Sequence, residues 1–424
     1  MKRLAKLRAS LLFWLFALVT NCMAASSSRG STTTSLVDLH AHFFMPEASG
    51  FPFFGGFNDP LHASQWSSRL KTRVNAQALT ESNVRIAVVA LYSHPLFFRS
   101  LFGSQRESIR TQIREAKAFV TSHKDWVIAK SPVEAQRALA DGKRILILSL
   151  EGASGVLETD DDIREFIDVE GIRIVTPLHF IDDWIGGATL MPWPALLVNP
   201  FAALGSFLRS DRDNIGVLIN DSGLTIRGKS FVTKLIEHGV WIDLSHASDG
   251  SIRQLVPILK SAGQPILYTH TVLRSAYRAE RGISDSMLQE VSNSGGIVGL
   301  LPSDDMLKGT RVNFDLCAAE CNHHCEGGEA AYATQYQAMS KVIPPSRILI
   351  GSDIDAPISF LKPECEAVQA KLPKGYWNYA QLNELFAFLR EKKLTPDATL
   401  GASEVAMQNV LVVNFLRAWE KVAH

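Results

Sequence analysis

The stretch Leu36-Val37-Asp38-Leu39-His40-Ala41-His42 is a short apolar run that ends in two histidines one residue apart. Alternate side chains of a β-strand point to the same face, so His40 and His42 aim both imidazoles at one point, as two metal ligands require. Taken alone His-x-His is a weak signal that also occurs in polar loops, and its meaning depends on where the remaining ligands lie in the chain.

After this first run, at 36–39, seven further β-rich runs stand out at 86–92, 145–150, 172–177, 240–244, 265–269, 296–301 and 348–351. Amphipathic or mixed segments lie between them, at 108–121, 132–140, 230–238, 285–292 and 330–342. This alternation predicts a parallel sheet closed into an α/β (β/α)8 TIM barrel of the metal-dependent hydrolase type with loop insertions. Polar residues fall at the C-terminal ends of the runs: His40 and His42 after the first, Glu151 after the third and His179 after the fourth. His246 comes after the fifth, His270 after the sixth and Asp353 after the eighth. That is the face on which such barrels carry their chemistry; the less favoured alternative is that one or two of these are buried, satisfied histidines.

Two histidines, a carboxylate and two more histidines suit two borderline-soft divalent ions bridged by the carboxylate, zinc first among them. Such ions lower the pKa of bound water to about 7 and polarise a carbonyl or phosphoryl oxygen, so hydrolysis is the natural outcome. Asp353 is then placed to take the proton from the water and return it to the leaving group.

The chain has 424 residues and zero formal net charge, with no basic footprint for nucleic acid or a membrane surface. Lys2, Arg3, Lys6 and Arg8 precede an apolar core at 11–19 and small residues before Ala25, the pattern of an export signal over 1–24. An uncleaved anchor or a lipoprotein signal at Cys22 is less favoured, because the apolar stretch is short and Asn21 is the wrong preceding residue. The expected location is therefore periplasmic or secreted, with no membrane span after signal removal. Residues 25–35 read as a flexible Ser/Thr-rich leader and 36–424 as one barrel domain. Four cysteines then remain, Cys317, Cys321, Cys325 and Cys365, which in an oxidising compartment predicts two disulfides in one of three pairings. A structural metal held by the first three beside His323 and His324 is the alternative. The segments 43–57, 95–102 and 180–207, the last with Trp184, Met191, Trp193 and Leu196, are rich in apolar side chains. They read as a lid or pocket wall, or equally as an extra packing layer or dimer interface.

The run 222–228 with 235–248, containing Ser222-Gly223-Leu224-Thr225-Ile226-Arg227-Gly228 and Asp243-Leu244-Ser245-His246, resembles the signature of the membrane (renal) dipeptidases of the amidohydrolase superfamily, peptidase family M19. Tyr268-Thr269-His270-Thr271 and Gly351-Ser352-Asp353-Ile354-Asp355 resemble its next landmarks, and the similarity runs from about 36 to 415. The resemblance implies that His40 ligates a first metal, Glu151 bridges, and His246 and His270 hold a second. It further implies that His179 binds substrate and steadies the oxyanion, Arg281 grips the substrate carboxylate, Asp353 is the acid/base, and the protein forms a homodimer. Read without the family, Arg281 is a surface residue. One departure stands out: the family has His-x-Asp where this chain has His40-Ala41-His42, which raises the charge of the site by one and makes the bound water more acidic. The region 303–345 matches no family pattern.

The expected substrate is a dipeptide or related amide. Alternatives are a lactone, a phosphoester or an N-acyl amino acid, or a barrel kept as a non-catalytic binding module.

Overall fold

The computed structural model describes residues 34–45, 57, 73–93, 104–191, 199–356, 358–371, 378–396 and 410–422. The expectations for the export signal at 1–24, the loop 95–102, most of 43–57, and Trp193 and Leu196 lie outside the described residues.

All eight apolar runs form strands. They are β1 (Leu36–Ala41), β2 (Val84–Tyr92), β4 (Arg144–Glu151), β5 (Ile174–Thr176), β8 (Trp241–Ile242), β9 (Leu267–Thr271), β10 (Ile297–Leu300) and β11 (Ile348–Ile350). Their order is β8-β5-β4-β2-β1-β11-β10-β9 with every pair parallel. A parallel bridge from Asp243 to Leu267, with the Leu244 N–H donating to the Leu267 carbonyl at 2.9 Å, joins the two ends and closes the barrel. Strands covered on both faces are buried along nearly their whole length, which is why they read as nearly continuous apolar runs.

Three strands were not anticipated. β3 (Trp126–Ile128) pairs with residues 144–146 of β4, on the edge that β5 takes over only from Ser149 onward. β6 (Ser210–Arg212) and β7 (Leu218–Asn220) form an antiparallel hairpin in the long connection between β5 and β8. Helices return the chain between strands, several of them cued by a capping side chain. The helix Asp285–Ser294 starts where Ser284 accepts the Met287 N–H and stops at Gly295 in the left-handed region.

Among the described apolar-loop residues, Phe43, Phe44 and Phe57 are buried and pack as a layer, with Phe57 5.1 Å from Phe44 and from Phe119 and Phe43 5.3 Å from Tyr379. In the other segment, the helix Pro200–Leu208 leaves Phe201 and Leu208 largely exposed. Among the described residues no helix is long and apolar enough to cross a membrane.

Cys317 pairs with Cys325 and Cys321 with Cys365, so the alternative of a metal held by these cysteines is set aside; His323 and His324 lie exposed. The second bond ties the segment after β10 to the segment after β11, across 44 residues. Replacing both Cys321 and Cys365 by Ser should lower unfolding free energy by about 2–4 kcal/mol. Urea unfolding with an unchanged midpoint would contradict that.

Candidate metal centre

Glu151 ends β4 and is followed by Gly152 at φ +80°, where a Cβ would stand 3.3 Å from that of His179. A glycine lets the chain turn away and leaves the carboxylate facing the barrel axis. Five imidazoles converge on it. His246 Nε2 lies 3.1 Å, His270 Nε2 3.3 Å, His40 Nε2 3.5 Å and His179 Nε2 3.6 Å from Oε1, while His42 Nε2 lies 3.3 Å from Oε2. Asp353 Oδ1 stands 3.2 Å from His42 Nε2 and 3.8 Å from His40 Nε2. His40 and His42 aim their Nε2 atoms to within 3.3 Å of each other, as the strand alternation predicts. Every one of the eight residues singled out from sequence therefore falls in one cluster, since Arg281 Nη2 lies 3.4 Å from His246 Nε2.

Three of the rings, those of His40, His42 and His270, are held from behind. His42 Nδ1 donates to the Ala90 carbonyl at 3.1 Å. Thr269 Oγ1 donates to Asp243 Oδ2 at 2.6 Å, so its lone pairs receive the Nδ1–H of His40 at 3.1 Å and of His270 at 2.9 Å. One hydroxyl thus sets both tautomers and leaves both Nε2 lone pairs turned toward Glu151. Asp243, wholly buried, also accepts from Thr176 Oγ1, Ser245 Oγ, and the N–H groups of Ser245 and Thr269. Across the barrel Asp38 accepts Ser352 Oγ at 2.6 Å, Ser352 N at 2.9 Å and His40 N at 3.2 Å, tying β1 to the residue before Asp353. Asp353 itself sits at φ 49°, a left-handed conformation that a non-glycine residue keeps only where its surroundings impose it. At Gly351 a Cβ would collide with the Thr269 carbonyl, so only glycine lets β11 lie this close to the strand of His270.

Electrostatics prepare the cluster for cations. Burial alone would raise the Glu151 pKa, but the imidazoles of His179, His40, His246 and His270 outweigh it and hold the carboxyl well below its ordinary range. Burial, with Arg281 adding, pushes His246 down to about 3 and His270 well below its ordinary value. Both are neutral, the form in which imidazole ligates a metal. His42 behaves otherwise: burial disfavours its charge, yet Asp353 and Glu151 prevail and raise it to about 10. Two overlapping triads, His40–His42–Glu151 and Glu151–His179–His246, bring ligand atoms within 4.8 Å of one another. The donor set fits divalent metal once His42 gives up its proton, as every ligating imidazole must: nitrogen donors and carboxylate oxygens then face one point with Glu151 shared. A third group, His40–Asp243–His270, is close as well, but Asp243 faces the Nδ1 side and its oxygens are already saturated.

Sequence reasoning passed over Asp38, Asp243, Thr269 and Ser352. A signal existed for two of them: Val37-Asp38-Leu39-His40 and Ile242-Asp243-Leu244-Ser245-His246 both place an aspartate inside an apolar strand just before a site histidine. Thr269→Val should weaken zinc affinity about 10- to 100-fold with the fold intact, because both Nδ1–H groups lose their acceptor. Equal zinc Kd values for variant and wild type, by competition with a chelator, would contradict this.

The chain matches the model of the membrane dipeptidase family, peptidase family M19, over residues 28–424. In sequence it is similar to an uncharacterized dipeptidase of Schizosaccharomyces pombe, 21% identical over 284 residues that make up 66% of this chain and 54% of that one. It is also similar to dipeptidase 3 of Rattus norvegicus, 37% identical over 79 residues, 19% of this chain and 16% of the other. The chain thus spans about half the length of the yeast relative and less of the rat one. In fold it is similar to a metallopeptidase of Rhodobacter sphaeroides solved with a phosphinate mimic of the dipeptide L-Ala-D-Ala, with a TM-score of 0.64 at 15% identity over 92% of this chain and 99% of that one. A family model that spans nearly the whole chain, on a barrel of this architecture, establishes that the chain belongs to the membrane dipeptidase family, peptidase family M19.

Proposed function

We propose that the chain is an exported metallodipeptidase in which His40, His42, Glu151, His246 and His270 hold two divalent ions, zinc by preference, and which hydrolyses the amide bond of dipeptides with a free carboxylate. The observation that carries this reading is Arg281. Its side chain is buried at 5% exposure beside the histidine cluster, and its Nε and Nη1 have no hydrogen-bond partner. Leaving such donors unmet costs free energy, and a carboxylate with two oxygens meets the planar fork of a guanidinium. The family membership and the Glu151 cluster supply the rest of the support.

When bound, the ions would activate water and polarise the scissile carbonyl. The chain's own residues do the remaining work. Arg281 holds the substrate carboxylate on the His246 side of Glu151. His179, three residues past the end of β5, donates to the oxygen that becomes negative. Asp353, beside His42, accepts a proton from the attacking water and delivers it to the leaving amine. His40, His270 and His42 stay fixed, because their Nδ1 atoms are tied to Thr269, itself held by Asp243, and to the Ala90 carbonyl. The compact unit Ser35–His424 supports one barrel domain, and the two disulfides support export to an oxidising compartment.

A second reading has its own support. The cavity of about 950 Å³ between Glu151, His179, Gln105 and Asp183 offers far more room than a small amino-terminal residue fills. An N-acyl amino acid presents the same carboxylate to Arg281 and would place its acyl group there. A lactone carries no anion and leaves Arg281 unexplained.

Zinc-loaded protein should release amino acids from dipeptides faster than from N-acetyl amino acids, and the reverse order favours the second reading. Asp353→Asn should lower kcat by about 10²- to 10⁴-fold with metal retained. Arg281→Gln should cost about 2–5 kcal/mol in kcat/KM, mostly through KM. Wild-type kinetics in either variant would remove that residue from the mechanism.

A further inference from the structure

Glu280 precedes Arg281 and is buried at 3% exposure, yet no cation neutralises its carboxylate through a direct ion pair among the described residues. Three backbone N–H groups satisfy it instead. Oε2 accepts the N–H of Leu190 at 2.7 Å, and Oε1 accepts those of Asn220 and Asp249, each at 2.9 Å. These belong to three different parts of the fold: the root of the long connection after β5, the end of β7, and the first turn of the helix Asp249–Ser261. That helix starts three residues after His246, with Ser248 as its cap.

The backbone on either side of Arg281 is held to the same helix. Asp249 grips Arg274 through two contacts at 2.6 and 2.8 Å. Arg274 in turn donates to the carbonyl of Glu280 at 3.0 Å and to that of Gly282 at 2.9 Å. Thr271 Oγ1, one residue beyond His270, donates to the Arg281 carbonyl at 3.2 Å. The Arg281 loop is therefore referenced to the elements that carry His246 and His270, and the Glu280 side chain is the part that also ties in Leu190 and Asn220.

We infer that Glu280 is a positioning residue that fixes the distance between the Arg281 guanidinium and the histidine cluster, and so sets the length of substrate the site accepts. This rests on the reading of Arg281 as the carboxylate anchor. A dipeptide has its carboxylate a fixed number of bonds from the scissile carbonyl, and a rigid spacing rewards that number and rejects one methylene more. Loosening the tie gives up the pre-organised geometry, and small misplacements of this kind reduce turnover efficiency steeply.

The test compares Ala-Ala with Ala-β-alanine, whose carboxylate lies one methylene farther away, in wild type, Glu280→Gln, Glu280→Asp and Arg281→Gln, each at equal zinc content. In Glu280→Gln, KM for Ala-Ala should rise about tenfold, kcat should change much less, and the preference for Ala-Ala over Ala-β-alanine should shrink. Glu280→Asp keeps the carboxyl group but shortens its reach, and should shift the same preference. A fall in thermal stability or active fraction with KM and preference unchanged in both would reduce Glu280 to a structural anchor and overturn the inference. If Arg281→Gln leaves KM and preference unchanged, the carboxylate reading itself fails; if it alters them while the Glu280 variants do not, only the positioning role fails. A wild type that cleaves neither substrate overturns both.

Discussion

One buried carboxylate organises this molecule. Glu151 lies at 4% exposure with five imidazole nitrogens within 3.6 Å, brought there by β1, β4 and the ends of three further strands. An isolated carboxylate at such depth would be protonated or expelled, because burial penalises its charge. Here the imidazoles reverse that penalty and keep it ionised. The barrel makes the gathering possible, since each contributing strand is a buried apolar run that stabilises the fold independently of its terminal polar residue.

The polar residues behind the cluster matter as much as those in it. Asp243 and Asp38 are each wholly buried at the inner side of the site, and each accepts hydrogen bonds from more than one strand segment. Burial raises Asp38 to about 6 against the pull of its hydrogen bonds, so its charge is a cost that the fold carries. What that cost secures is orientation. Asp243 orders Thr269, Thr269 orders His40 and His270, and Asp38 orders Ser352 next to Asp353. The departure from the family's His-x-Asp pattern is absorbed in the same way: His42 is held through Nδ1 by a carbonyl of β2 and meets Asp353 on its other side.

Much of this was legible in the sequence, for physical reasons that also mark where legibility ended. Parallel barrel strands are covered on both faces, so runs such as Ile145 to Leu150 announce themselves, and a polar residue just after such a run is conspicuous. Trp126–Ile128 escaped because three residues give no period, and Ser210–Arg212 because a polar hairpin edge carries no apolar signal. The pairing of Cys317 with Cys325 depends on chain paths that spacing does not encode. From its own sequence neighbours Arg281 reads as exposed, so the family resemblance alone singled it out, and the closed barrel shows its guanidinium buried beside the cluster. Glu280 and Thr269 were invisible for the same reason, since their partners lie 90 residues and 229 residues away in the chain.

Glu151 as the shared ligand of two ions is the central claim, and metal content addresses it directly. Purified wild type and Glu151→Gln, each reconstituted with zinc and freed of excess ion, would be analysed by elemental mass spectrometry against protein concentration. A shared ligand predicts two equivalents of zinc per chain in wild type and a loss of both, or nearly both, in the variant. One equivalent or fewer in wild type, or two equivalents that survive the substitution, would contradict it.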